Sequence, residues 1–78
     1  MAIVIGFKEE QKQTKTHPTK VICHWSVLHH GNGKVSLLQL DTRGSEMREK
    51  QEKQSQTLQL TRESAKELFD ILKKEFDL

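Results

Sequence analysis

Cysteine, proline and aromatic side chains are nearly missing from this 78-residue sequence, which has one Cys, one Pro, one Trp, three Phe and no Tyr. With Cys23 alone, no disulfide can close within these residues, and a reducing compartment, cytoplasmic or nucleoid/nuclear, is expected. Long apolar runs are missing too. The run at Ala2–Ile5 is far short of the roughly 20 residues that a bilayer helix needs. The opening Met-Ala-Ile-Val-Ile-Gly has neither the basic start nor the apolar core of a secretory signal, so neither a membrane span nor export is expected. Charge of one sign is equally scarce: a net +2 excludes a histone-like polycation. What is present, 33% hydrophobic and 31% charged residues, suffices for a single small domain over 1–78. A core this modest usually needs a staple, a metal or a partner subunit.

The pattern along the chain predicts an α+β domain. Ala2–Phe7 is a short apolar burst that reads as a strand, and Lys8–Lys20 is polar without period and reads as a loop. Val21–His30 alternates, with Val21, Cys23, Trp25 and Val27 on one side and Ile22, His24, Ser26 and Leu28 on the other. Gly31-Asn32-Gly33 supplies residues that tolerate positive φ, as a tight hairpin turn demands. A second strand, Lys34–Arg43, sets Val35, Leu37, Gln39 and Asp41 against Ser36, Leu38, Leu40 and Thr42. After a charged loop over 44–55, Gln56–Thr61 alternates again. Thr61 is a good N-cap and Glu63 suits the first turn of a helix. In that helix Ala65, Leu68, Phe69, Leu72 and Phe76 form one apolar stripe. The expected fold is a four-stranded antiparallel sheet followed by one C-terminal amphipathic helix, with Leu68, Phe69, Leu72 and Phe76 serving the core or a dimer contact. Apolar residues on both faces of the hairpin cannot all lie under one helix. A homodimer that buries the second surface is therefore expected.

Enzyme signatures are absent. There is no G-x-G-x-x-G, no phosphate-cradling loop and no G-x-S-x-G elbow. Cys23 and His24 are neighbours on a strand and project to opposite faces, so they make no nucleophile–base pair, and Cys23 reads as a small core residue. His17, His24, His29 and His30 do not converge as metal ligands must. Asp41 and Glu46 read as solvated carboxylates rather than a nuclease pair. The chain is expected to be non-enzymatic, with no cofactor and no metal.

Charge placement points elsewhere. Nine basic side chains face six acidic ones through Thr61, a balance of +3, against four and five after it, a balance of −1. Lys34, Arg43, Arg48, Lys50 and Lys53 lie on strand ends or in the adjoining loop, and Trp25 stands midway along a strand. Phosphates need cations on a common surface, and unpaired bases need an aromatic face. These six residues are the candidate nucleic-acid-binding set, with single-stranded DNA or RNA as the expected partner. A small dimeric protein-interaction module or adaptor is the other reading, motivated by the apolar surplus of the hairpin.

The stretch from Gly33 to Phe76, read as GKVSLLQLDTRGS, REKQEK, QTLQL and TRESAKELFDILKKEF, resembles the C-terminal domain of the positive-cofactor-four family of transcriptional coactivators and, more distantly, the Whirly fold. That resemblance implies four antiparallel strands and a helix, pairing through the helices, and single-stranded DNA held along basic strands. It implies roles for Arg43, Lys50 and Lys53. The sequence departs from the family where Asp41 or Thr42 replaces the strand arginine, where the loop lacks Pro and Gly, and where no aromatic follows Arg43. Stacking would then fall to Trp25.

Overall fold

Period-two alternation has a direct outcome in the computed structural model, which describes residues 1–43 and 54–78. The strand β2 (Cys23–His29) pairs antiparallel with β3 (Val35–Arg43), Trp25 opposite Leu40 and Val27 opposite Leu38. On its other side β3 pairs antiparallel with β4 (Gln54–Thr61), Leu40 opposite Leu58 and Leu38 opposite Leu60. The short β1 (Ala2–Val4) completes the sheet by running parallel to β4, so the order is β1-β4-β3-β2. The helix α1 (Arg62–Phe76) follows β4 directly. The fold is α+β, as expected, but its sheet is mixed.

The all-antiparallel expectation fails at β1 alone. Antiparallel neighbours follow from short turns, whereas β1 is separated from its partner by residues 5–22 and the whole β2–β3 hairpin. No tight turn dictates its direction, and a parallel neighbour needs such a long connection. Two boundaries also differ. The apolar burst is strand only to Val4, with Ile5–Phe7 outside the sheet, and β4 begins at Gln54, inside the span assigned to the loop. Residues 8–20 contain no helix or strand, as their composition predicts.

Cross-strand register divides the sheet into two unlike faces. One carries two apolar rows, Ala2–Leu58–Leu40–Trp25 and Val4–Leu60–Leu38–Val27. The other carries the rows Thr57–Asp41–His24 and Ile3–Gln59–Gln39–Ser26, then Thr61–Leu37–Leu28. The helix meets β4 and β3. Leu60, only 3% exposed, is the one hydrophobic side chain fully buried among the described residues. Ala65 and Leu68 are half-buried, but Phe69, Leu72 and Phe76 are exposed. The apolar stripe therefore enters the core of a single chain only at its N-terminal end. Three of the five stripe residues, Phe69, Leu72 and Phe76, are left without cover in one chain.

Both ends of the helix are closed locally. The Thr61 hydroxyl accepts the Ser64 N–H at 3.1 Å, and the Ser64 hydroxyl accepts the Thr61 N–H at 2.9 Å. Serine here does what glutamate does in the usual reciprocal cap. At the far end Asp77 turns left-handed at φ 56°, and the Asp77 and Leu78 N–H groups both reach the Lys73 carbonyl.

The hairpin turn shows why glycine stands at one of its two positions. His30 N–H donates to the Lys34 carbonyl at 2.8 Å and Gly33 N–H to the His30 carbonyl at 2.9 Å, while Asn32 Oδ1 accepts Lys34 N–H at 3.0 Å. Closing this loop puts Gly33 at φ 83°, and a Cβ there would meet no atom within 4 Å. The barrier to other residues is conformational alone. Gly33→Ala is expected to cost about 1–2 kcal/mol. Gly31→Ala, at a position with equal space and no positive φ, should cost a few tenths at most. Urea unfolding of the two variants side by side checks the difference.

Candidate nucleic-acid interface

Trp25 occupies the middle of β2, which is an edge of the sheet. Its neighbour across the ladder is half-buried Leu40, with exposed Leu58 beyond, and the indole itself is 69% exposed. A β-strand places this ring roughly perpendicular to the sheet, and the described residues leave most of it open. An indole so presented can offer a π-face to a base.

Among the described residues, the predicted cations Arg43 and Lys34 do not gather round it. Arg43 ends β3, three residues beyond the position opposite Trp25, or about 10 Å at strand rise. Its guanidinium nitrogen Nη1 lies 3.3 Å from His24 Nε2, which puts it on the polar face, behind the sheet from Trp25. Lys34 sits past the other end of β3, nine residues and about 30 Å from Arg43. The remaining predicted cations, Arg48, Lys50 and Lys53, and the carboxylate of Glu46, lie outside the described residues. Trp25 and Arg43 thus share one end of the sheet but not one face, and Lys34 joins neither.

The polar face holds a feature that residue-by-residue reading missed. Asp41 and Thr57 are buried, and the Thr57 hydroxyl donates to Asp41 Oδ1 at 2.7 Å. The Gln39 amide nitrogen reaches both Asp41 oxygens, at 3.1 and 3.3 Å, and the Gln59 amide nitrogen donates to Gln39 Oε1 at 2.9 Å. Asp41 is no solvated carboxylate. Cross-strand pairing with Thr57 and the i,i+2 position of Gln39 bring donors onto it. The signal was present in the twin patterns Gln39-Leu-Asp41 and Thr57-Leu-Gln59, whose polar members share one face once the strands are in register. Donating its amide nitrogen to Asp41 leaves Gln39 Oε1 to accept from Gln59.

One further expectation changes. Cys23 is exposed, its thiol 3.7 Å from the His24 carbonyl, because it opens β2, an edge strand of the sheet. Sequence alternation assigned it a core face without knowing how far that face is covered. Among the described residues no group of three or more His, Cys, Asp or Glu is placed to hold a metal ion, and no helix is long and apolar enough to cross a membrane.

No protein-family model matches the chain, and no curated protein or solved structure does either. What defines it is the α+β sheet with one apolar and one hydrogen-bonded polar face.

The polar chain should contribute to stability in proportion to its charged bond. Thr57→Val removes the hydroxyl and keeps the shape, and is expected to cost about 1.5–3 kcal/mol, as for other hydrogen bonds to charged groups. Chemical denaturation of the variant measures it.

Proposed function

We propose that this chain is a non-enzymatic single-stranded nucleic-acid-binding protein, acting as a homodimer in a reducing compartment and serving as an accessory factor in transcription or DNA metabolism. The observation that carries the reading is Trp25, 69% exposed in the middle of a strand with apolar neighbours beside it. A large aromatic ring on an open sheet is costly to leave in water and matches the platform on which unpaired bases stack. The resemblance of Gly33–Phe76 to the coactivator family supports the same ligand. Arg43 and the 44–53 cations Arg48, Lys50 and Lys53 would supply phosphate contacts, with Lys34 available to a strand long enough to span the sheet.

The homodimer has its own support. A single fully buried hydrophobic residue, Leu60, is a small core for the described part of a 78-residue chain, while Phe69, Leu72 and Phe76 remain exposed. Small domains commonly make up such a shortfall by association.

Fluorescence anisotropy of a labelled oligothymidylate tests the reading. Four phosphate contacts would weaken binding about 50-fold between 50 and 200 mM salt. Loss of one stacked base in Trp25→Ala corresponds to about 1–3 kcal/mol, or roughly 5- to 150-fold weaker binding. Reversing the charges of Arg48, Lys50 and Lys53 together should flatten the salt dependence. Absence of binding at low salt overturns the reading and leaves the exposed sheet to a polypeptide partner, the adaptor alternative. Binding that ignores Trp25→Ala overturns the stacking role.

A further inference from the structure

The sheet ends on an edge without the usual protection. Strand β2 is outermost, and its seven residues, Cys-His-Trp-Ser-Val-Leu-His, include no lysine, carboxylate, proline or glycine. Natural edges are normally blunted by charge, proline or a bulge on the outer strand. The one irregularity of this hairpin lies on β3, where two steps, Leu37 to Val35, oppose the single step from Leu28 to His29, so β2 itself runs regular. Among the described residues no backbone hydrogen bond reaches β2 from outside the ladder with β3. Its outer N–H and C=O groups form a template for another strand.

We infer that β2 pairs antiparallel with β2 of a second copy about a twofold axis at Ser26, joining two four-stranded sheets into one of eight strands. Three observations select a second copy and this register. An axis at Ser26 pairs all seven residues of β2, whereas an axis at Trp25 or Val27 pairs only the five residues from 23 to 27 or from 25 to 29. An axis between residues would set Trp25 opposite a residue of the polar face, and sheets do not tolerate that one-residue slip. Centred on Ser26, Trp25 faces Val27 of the other copy, so the row Leu58–Leu40–Trp25 runs on into Val27–Leu38–Leu60 of the second chain. On the opposite face, Gln59–Gln39–Ser26 meets its own image. Both rows are self-complementary, as a twofold interface requires.

The pairing has a consequence for the site. The two Trp25 residues become diagonal neighbours on one face, about 7–8 Å apart, and each copy contributes half of a two-ring platform. That use rests on the nucleic-acid reading above, whereas the pairing rests on the edge alone.

Disulfide trapping separates the two. In a Cys23→Ser background, Ser26→Cys puts two thiols directly opposite at a Cα separation of about 4.5–5.5 Å, within disulfide range. Leu28→Cys, on the same face, would lie opposite His24 of the second copy and about 14 Å from its own image. Under mild oxidation without nucleic acid, Ser26→Cys should convert largely to covalent dimer and Leu28→Cys should remain monomeric. No cross-linking at position 26, or equal cross-linking at both positions, overturns the pairing. Light scattering of the unaltered chain gives an answer independent of the variants. A monomer at all concentrations up to the millimolar range overturns the proposal, and a mass twice the chain's 9.1 kDa supports it only together with cross-linking at position 26, since pairing through Phe69, Leu72 and Phe76 gives the same mass and no such cross-link. A cross-linked dimer that fails to bind oligothymidylate supports the pairing and overturns the nucleic-acid reading. Oligonucleotide binding by a chain that does not cross-link does the reverse.

Discussion

The ladder between β3 and β4 is the interaction on which the other elements depend. It puts Leu60 beside Leu38, where the only fully buried hydrophobic side chain of the described residues lies. It puts Thr57 beside Asp41 and Gln59 beside Gln39, so that four polar groups share hydrogen bonds instead of facing burial alone. It gives β1 a partner whose direction it follows, and it ends at Thr61, whose hydroxyl starts the helix. Shifting this register by one residue would send Leu58 and Leu60 to the polar face and Asp41 to the apolar one. No element outside the ladder could compensate.

A sheet organised in this way makes an uneven protein. On its polar face Thr57, Asp41, Gln39 and Gln59 are joined by hydrogen bonds, hydroxyl and amide to carboxylate and amide to amide. Its apolar face is covered at Leu60 and open at Trp25 and Leu58, and the helix above it buries Ser64 and half of Leu68 while Phe69 and Phe76 face solvent. A chain this short has few residues with which to close such a face. The open apolar rows and the uncharged outer strand are different expressions of one shortage of chain.

The separation of aromatic and cationic groups shapes any functional account. Trp25 and Arg43 lie near the same end of the sheet on opposite faces, and the Arg43 guanidinium already contacts His24. A ligand that uses both must cross the sheet edge at β2 rather than lie flat on one face. A flexible single strand can follow such a path, since its backbone bends between bases, and a rigid duplex cannot.

Much of this was legible in the residues. Alternation in 21–28, 36–42 and 57–61 assigned these residues to the faces they occupy, because side chains on a pleated strand have only two directions, whereas the bulge opposite Leu28 and His29 breaks the pattern at Val35. The Gly-Asn-Gly turn and the Thr61 cap are local matters that a few adjacent residues decide. What alternation does not carry is which strand lies beside which. The parallel entry of β1, the edge position of Trp25 and Cys23, and the burial of Asp41 all depend on neighbours remote in sequence. Phe69, Leu72 and Phe76 have the spacing of a core stripe, yet how much of that stripe is covered depends on where the sheet stops. The sequence by itself determined the elements, their faces and their caps, since these follow from one residue's relation to the next few. Only the tertiary structure decided the order of the strands and which apolar surfaces stay open, since both are set by contacts between segments that the chain's connectivity leaves free.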